Sequence, residues 1–339
     1  MPLNFLEKSI LATIVYYDVL DYPLTGFEVF RYLVNPLHVI AQIESVRNLQ
    51  LEPLGEVSLE DVLKSLKNHS LEKFIGEKNG FYFLKGPASP SQGGRQHLYE
   101  QRIERQKIAA PRWKKIYKIL KTLQVVPFVK MIAVCNSLAI DNSKEEADID
   151  FFIVIKKGRI WLIRFLITFL VWLKGEWRHK KKIANKICLS FYITDDALNF
   201  EQIAIKPYDI YLANWITQLK PVYCENQIHR DFVFKNLWVK NYLMNFSKIL
   251  NYRHPEFKKD KSASFIKKLS EEVLGGFLGN FAENLLRFFQ KSRIGHKSIR
   301  HEIPTAVIVS DKMLKFHEND KRRHFQEMFI NNLKEKLTS

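Results

Sequence analysis

Cysteines are scarce in this chain and do not pair in sequence. Three occur in 339 residues, at positions 135, 188 and 224, and no two form a C-x-x-C pair. The ten histidines are scattered, and pairs such as His296 and His301 lack the i, i+4 spacing of a helical metal site. The sequence therefore indicates neither a disulfide framework nor a zinc site, and we expect a reduced, cytoplasmic setting.

Long apolar runs are also missing. The most apolar stretch, residues 160–173, has fourteen residues with Arg164 among them, whereas a membrane-spanning helix needs about 20. We expect a buried helix here; a surface-lying membrane helix is the alternative, because the basic run at 178–182 follows it. The N-terminus has Glu7 before its apolar stretch and lacks a basic leader, which predicts a helix rather than a signal peptide. We expect no transmembrane segment.

Positive charge is abundant. The chain has 53 Lys and Arg against 36 Asp and Glu, a net charge of +17. Such an excess predicts polyanionic partners: nucleic acid, nucleotide phosphates or an anionic membrane surface. Residues 1–88 hold eight basic and eleven acidic residues, so the whole excess lies beyond them.

Residues 1–88 predict a winged-helix-like domain. Helical patterns cover residues 4–20 and 25–34, a third helix opens at Ser58, and Asn79-Gly80 predicts a β-hairpin. Acidic residues accompany the lysines of the third helix inside a net-acidic domain, so sequence-specific DNA binding is not favoured. We expect a docking or substrate-presenting role instead.

Residues 89–125 predict a linker followed by a basic helix from about residue 96 to 123. The linker is indicated by small and turn-forming residues. Residues 95–123 carry nine Lys and Arg against two Glu. A solvated helix face is the ordinary interpretation, and a surface for RNA or another polyanion is the alternative.

The remaining sequence predicts an α+β fold. Strand-like runs at 128–134, 149–155 and 187–194, with the apolar helix between the last two, predict a small mixed sheet within residues 126–222. Beyond Pro207 the pattern is helical, at 208–219, about 227–246, 264–290 and 320–336, apart from a strand-like piece at 306–309. Residues 223–339 are therefore predicted to form a helical C-terminal region.

The passage VKMIAVCNSLAIDNSKEEADIDFFIVI, residues 129–155, carries the chemistry. Residues two apart in a strand share a face, so Asp148 and Asp150 project together. Two such charges repel by about 4 kcal/mol at ~4 Å and an effective dielectric of ~20 unless a cation lies between them. Mg²⁺ suits carboxylates and phosphate oxygens, and the turn at Asn136 and Ser137 can face a triphosphate. An ordinary exposed strand is the structural alternative.

This passage resembles the nucleotidyltransferase superfamily that includes DNA polymerase beta. Its hallmark is an apolar strand, Gly-Ser, a gap of about ten residues, and Asp-apolar-Asp on the next strand. The layout is also similar to uncharacterised bacterial proteins with a winged-helix-like N-terminus and a helical tail. The resemblance implies Mg²⁺-dependent transfer of a nucleoside monophosphate from a triphosphate to an acceptor. We expect metal ligation and catalysis at Asp148 and Asp150, and nucleotide binding at Asn136, Ser137, Lys156, Arg159 and Arg164.

Two departures from the family pattern favour an alternative function, a catalytically weakened module that binds nucleotide or RNA in a regulatory role. Asn136 replaces the glycine, although Asn tolerates positive φ better than other side chains. The family's third carboxylate is missing from strand 187–194, where the inward position is expected at Ser190 or Tyr192. Other acids that could serve are Asp195, Asp196, Glu201, Asp209 and Glu225.

Overall fold

A three-stranded sheet, a six-stranded mixed sheet and their surrounding helices make up the fold. The computed structural model describes residues 3–37, 56–86, 97–179, 182–251, 257–295, 303–317 and 319–338. Helices and strands alternate irregularly along the chain, and the larger sheet contains both parallel and antiparallel pairs. The predicted α+β class is confirmed at this level.

The N-terminal helices begin at side-chain caps that the sequence supplies. Asn4, Thr25 and Ser58 each accept a hydrogen bond from the backbone of the residue three positions on, whose acidic side chain reaches back. The capped helices are α1 (Phe5–Asp18), α2 (Gly26–Arg31) and α3 (Leu59–Ser65), and the short α4 (His69–Glu72) follows without a side-chain cap.

The predicted hairpin is confirmed. It joins β2 (Ile75–Lys78) to β3 (Phe81–Leu84), and β3 also pairs with β1 (Leu24–Thr25). Asn79 and Gly80 both have positive φ, at 52° and 81°, as a tight hairpin turn requires. The long helix α5 (His97–Leu123) follows.

The three predicted strands form the centre of the larger sheet. They are β4 (Val129–Val134), β5 (Ile149–Ile155) and β6 (Ile187–Thr194). β4 and β5 are antiparallel and joined through the short helix α6 (Asn136–Ala139), whereas β5 and β6 are parallel. A parallel pair needs a crossover, which α7 (Ile160–Leu173) provides.

The prediction of a helical pattern beyond Pro207 was wrong in part. Helix α8 (Ile210–Gln218) is followed by β7 (Lys220–Cys224) on one sheet edge. On the other edge, β9 (Met313–Phe316) lies beside β8 (Val307–Val309), which confirms the strand-like piece expected at 306–309. The strand order is β7-β4-β5-β6-β9-β8. The two strands that were missed, β7 and β9, have five and four residues and are too short for their alternation to stand out.

Two predicted helices are also shorter or divided. The predicted helix 227–246 contains only α9 (Ile228–Lys235), followed by 3₁₀ turns at Leu237–Asn241 and Phe246–Asn251. The predicted helix 264–290 divides at Gly276 into α10 (Lys261–Gly275) and α11 (Phe277–Gly295). The last helix, α12, spans Arg322–Thr338.

Both faces of the larger sheet are covered, because successive strand residues point to opposite sides. Phe152 and Val154 belong to a core shared with α1, α8, α9 and α12, whereas Phe151 and Ile153 belong to a core shared with α5 and α7. The first core joins the N-terminal helices directly to the sheet.

Helix α7 is buried on one side only, whereas a buried helix was expected for residues 160–173. Trp161, Ile163 and Ile167 are buried against the sheet, but Phe165 and Phe169 are each nearly half exposed. No helix among the described residues is long and apolar enough to cross a membrane.

Candidate functional site

The turn after β4 takes the conformation that its sequence allows. Asn136 has a φ of 57°, in the left-handed region where Asn is tolerated more readily than other non-glycine residues. The backbone N–H of Cys135 donates to the carbonyl oxygen of Asp150 at 3.1 Å, and that of Asn142 donates to the carbonyl oxygen of Ser137 at 2.8 Å. The turn is therefore tied to the strand that carries the two aspartates.

Arginines of α5 hold the loop that leads to Asp148. Arg105 donates to the side-chain oxygen of Asn142 at 2.7 Å. Arg112 donates to the carbonyl oxygens of Lys144 and Glu145, at 2.7 and 2.8 Å. Both arginines are buried, as is Arg102, which pairs with Glu28 at 2.8 Å. The interpretation of the basic residues of α5 as one solvated face is therefore wrong for these three, whose charges stabilise the loop and the N-terminal helices.

Asp148 and Asp150 lie together, as predicted, and Cys188 completes a cluster with them. One ligand atom from each residue lies within 4.8 Å of the others. Cys188 is the register partner of Asp150 across the β5–β6 pair. Burial and the charge of Asp148 raise the pKa of Asp150 above its usual range. Burial and the charge of Asp150 raise the pKa of the Cys188 thiol to about 12, so the thiol is protonated at neutral pH.

A guanidinium group lies beside this cluster. Nη1 of Arg178 is 2.9 Å from Oδ2 of Asp148 and 3.2 Å from the sulfur of Cys188. Oδ2 of Asp148 is nonetheless buried without an aligned hydrogen bond. The ion pair offsets the repulsion between the carboxylates in part, and it leaves a buried acceptor atom unsatisfied.

The cluster borders a cavity of about 490 Å³. Asn136, Asp150 and Arg178 line it on the β4–β5 side, together with Cys188 and Ser190 of β6. The opposite wall comes from the C-terminal half of the chain, with contributions from α8, β9, the segment after β9, and α12: Tyr211, Leu212, Trp215, Lys315, Phe316, His317, Asn319, Asp320, Lys321, Arg322 and Phe325.

Ion pairs fix this opposite wall. Arg322 donates to Asp209 at 2.9 Å, and Lys315 pairs with Asp320 at 3.1 Å. Burial lowers the pKa of Lys315 to about 8 and that of His317 to about 4, so His317 is neutral at physiological pH. Nε2 of His317 lies 3.2 Å from the hydroxyl oxygen of Ser190. The cavity therefore has acidic, cationic and neutral hydrogen-bonding groups at defined places.

Three predicted nucleotide-binding cations are absent from the lining of this cavity. Lys156 is exposed and lines a separate shallow depression with Glu271 and Glu272. Arg159 is buried and donates to the carbonyl oxygens of Leu274 and Gly275.

Arg164, the third of these cations, lies over the ring of Phe316 and donates to Gln290. Lys156 follows Asp150 by six residues, about 20 Å along a strand, which places it at the opposite end of β5. The closeness of these three residues to Asp150 in sequence therefore did not predict that they line the cavity. Ser137 is half-buried beside Asn136 but does not line the cavity.

The expected inward positions on β6 were right for Ser190 only. The β5–β6 register shifts between the pairs Asp150–Cys188 and Phe152–Phe191, so one extra residue of β6 interrupts the alternation. Tyr192 consequently belongs to the core on the other face of the sheet. Among the described residues, the third member of the cluster is the thiol of Cys188, and no third carboxylate joins it.

Four of the five other acids considered from the sequence have structural partners. Asp195 accepts from the backbone N–H of Lys157, and Asp196 pairs with the Lys157 side chain. Asp209 caps α8 and binds Arg322. Glu225 pairs with Lys267, and Glu201 is exposed.

Several residues of the site were missed in the sequence. Arg178 belongs to the basic run that we associated with a membrane surface, although its spacing gives no sign that it reaches Asp148. Lys315, His317 and Asp320 lie in a region expected to be helical and separate. Only the fold of β9 back onto β6 brings them to the motif.

Comparisons with known proteins identify no family for this chain. No protein-family model, curated protein or solved structure matches it. The function must therefore be inferred from the geometry of the cavity and the residues that line it.

Proposed function

We propose that this protein is a Mg²⁺-dependent nucleotidyltransferase that transfers a nucleoside monophosphate from a nucleoside triphosphate to an acceptor. The supporting observation is the pairing of Asp148 with Asp150, which lines a cavity that also presents cationic side chains. The carboxylate pair and the unsatisfied Oδ2 of Asp148 fit a hard divalent cation, which prefers oxygen ligands. When bound, Mg²⁺ would neutralise charge on the nucleotide phosphates.

The chain's own residues would act as follows. Asp148 and Asp150 would hold the metal, and the turn after β4, from which Asn136 lines the cavity, would position the phosphates. Arg178, which pairs with Asp148 in this structure, would pair with a phosphate oxygen instead once the charge of that carboxylate is neutralised. Lys321, exposed on the opposite wall, contributes a second cation toward the phosphates or the acceptor.

The same proposal assigns the parts of the chain. The mixed sheet built on residues 126–222 is the nucleotidyltransferase domain, and its cavity is completed by β9 and α12. Residues 1–88 form a winged-helix-like module for docking, supported by the order of α1, α2 and α3 before the β2–β3 hairpin. Residues 89–125 join the two.

A second candidate is a nucleotide-binding regulatory module without turnover. Two observations favour it: the thiol of Cys188 at the third position of the cluster, and the pairing of Arg178 with Asp148. A protonated thiol is a poor ligand for Mg²⁺, so a second metal at this place would be held weakly. Nucleotide binding would survive, and transfer would be slow or lost.

One experiment separates the two candidates. Mg²⁺ and each of the four nucleoside triphosphates are titrated by calorimetry into the wild type and the Asp148→Asn/Asp150→Asn variant, and pyrophosphate release is measured in the same samples. An Asp195→Asn/Asp196→Asn variant is the matched control, because it removes the same charge from the far end of β6.

The enzyme is supported if the wild type and the control bind nucleotide in a metal-dependent way and release pyrophosphate, and if the Asp148→Asn/Asp150→Asn variant does neither. Binding without release supports the regulatory module. No metal-dependent nucleotide binding by the wild type would rule out both.

A further inference from the structure

Three neighbouring helices expose apolar side chains to solvent. On α7, Phe165, Phe169, Trp172 and Leu173 are 45–62% exposed. Their spacing of four, three and one residues places them on one side of the helix. Phe165 stacks with Phe169, and Phe169 with Trp172. The result is a continuous aromatic stripe along the outer side of a helix whose inner side packs in the core.

The outer sides of α10 and α11 continue this pattern. Helix α11 contacts both α7 and α10, so the three helices adjoin. Every large apolar residue on the outer sides of α10 and α11 is at least 45% exposed, and Phe277 reaches 81%. These residues are Phe265, Ile266, Leu269 and Val273 on α10, and Phe277, Leu278, Phe281, Leu285, Phe288 and Phe289 on α11. We call the exposed apolar residues of the three helices the apolar face.

Polar contacts on the inner sides fix this orientation. Lys267 of α10 is buried and donates to the carbonyl oxygen of Val129 at 2.7 Å. Glu283 of α11 is buried and accepts from the backbone N–H groups of Trp161 and Leu162, at 3.0 and 2.8 Å. Rotating either helix to bury its apolar side would leave these polar groups without partners, at a high free-energy cost. The apolar face is therefore held outward by the fold.

Charge around the apolar face identifies what covers it. Five exposed basic residues lie on these helices or in the segments that follow them, Lys174, Lys182, Lys261, Lys268 and Arg293, against two exposed acids, Asp260 and Glu272, and the whole chain carries +17. Apolar residues beside Lys and Arg match the interface of an anionic bilayer, where apolar side chains enter the acyl boundary and cations meet the headgroups. A second copy of the same basic surface would bring like charges together instead.

We propose that α7, α10 and α11 form a membrane-binding surface that lies in the interface of a bilayer containing anionic lipids. No described helix is long and apolar enough to cross the bilayer, so the helices lie along its surface. The proposal does not depend on the nucleotide site.

Vesicle flotation tests the proposal with the full-length chain. Vesicles of phosphatidylcholine alone are compared with vesicles containing an equal part of phosphatidylglycerol. We expect the wild type to float with the anionic vesicles, less so at high salt, because electrostatic attraction to the headgroups is screened. Phe281→Glu/Phe288→Glu should lower the bound fraction at least about tenfold, since it places two charges in the apolar boundary. Lys261→Gln/Lys268→Gln should weaken binding to anionic vesicles only.

Matched controls keep the outcome interpretable. Phe27→Glu/Phe234→Glu changes two exposed phenylalanines outside the three helices and should float like the wild type. Every variant should fold, because the substituted side chains are exposed, and thermal unfolding checks this. As a second readout, brominated lipids should quench the fluorescence of Trp172, and Trp172→Phe should remove that part of the quenching.

Three results would overturn the proposal. They are failure of the wild type to float with anionic vesicles, equal binding to both kinds of vesicle, and equal loss in the Phe27→Glu/Phe234→Glu control. Light scattering tests the alternative that a second copy of the chain covers the apolar face. That alternative would be shown by an oligomer that does not bind vesicles and that dissociates in the Phe281→Glu/Phe288→Glu variant.

Discussion

The indole nitrogen of Trp215 donates a hydrogen bond of 2.9 Å to the side-chain oxygen of Asn136. Because the oxygen of the Asn136 amide accepts this bond, the NH₂ group of the same amide is left to donate to the carboxylate of Asp150. That second bond favours the ionised form of Asp150. Trp215 also packs edge-on against Phe152. Helix α8 thus fixes Asn136 and couples it to a proposed metal ligand.

Asn136 is expected to respond to substitution through its backbone conformation. Its φ of 57° is accessible to glycine without strain, whereas alanine in this region costs about 1–2 kcal/mol. Both Asn136→Gly and Asn136→Ala lose the hydrogen bonds to Trp215 and Asp150. We therefore expect the alanine variant to be about 1 kcal/mol less stable than the glycine variant in urea unfolding. Equal free energies of unfolding would show that the turn relaxes away from positive φ.

Cys188 is expected to limit metal binding. Cys188→Asp places a carboxylate opposite Asp150, within the existing cluster. Without Mg²⁺ the third charge should lower the melting temperature, because like charges meet in a partly buried site. With Mg²⁺ the stability should recover, and pyrophosphate release should rise by about tenfold, equivalent to about 1.4 kcal/mol of transition-state stabilisation.

Cys188→Ser is the control for this substitution, because it changes the sulfur without adding charge. It should show neither the loss of stability nor the recovery. A Cys188→Asp variant that melts at the same temperature with and without Mg²⁺ would contradict a metal site at this cluster.

The sequence predicted the parts of the fold whose signals are local. The strands at β4, β5 and β6 and the helix α7 have strong apolar patterns, and the Asn79-Gly80 turn selects a hairpin through backbone conformation alone. The approach of Asp148 to Asp150 also follows from strand geometry. Each of these depends on residues a few positions apart.

The opposite wall of the cavity could not be predicted in this way. His317 reaches Ser190 only because β9 pairs with β6 across more than a hundred residues of sequence. Arg102 and Arg112 appear in the sequence as members of a charged run, and only their tertiary partners show that they are buried. The extra residue in β6, which moves Tyr192 to the other face, has no signal in the strand pattern.

The cavity wall should make stability depend on acid. Although burial opposes ionisation of Asp320, hydrogen bonds from Arg322 and the charge of Lys315 lower its pKa below the ordinary 3.8. A carboxylate with a lowered pKa in the folded state stabilises the protein above the unfolded pKa, and this contribution is lost as pH falls through the folded pKa.

Asp320→Asn should therefore destabilise the protein at neutral pH, by about 3–5 kcal/mol for a broken buried ion pair. The difference from the wild type should shrink below about pH 4, as the wild-type carboxylate is protonated. Urea unfolding at several pH values measures it. A difference that stays constant down to pH 3 would show that the ion pairs of Asp320 are not its source.

The outer side of α5 should bind single-stranded RNA or another polyanion. After the buried arginines are set aside, Lys107, Lys114, Lys118 and Lys121 are exposed at spacings of seven, four and three residues, which places them in one row. Each lysine that meets a phosphate releases counterions, so affinity for single strands falls with salt at a slope of about −0.7 per contact.

Replacing all four by Gln should reduce the slope of log K against log salt by about 3. Replacing the exposed lysines at 64, 67, 73 and 85 removes the same charge from the N-terminal region and should leave the slope nearly unchanged. If both sets reduce it equally, the attraction comes from net charge rather than from this row.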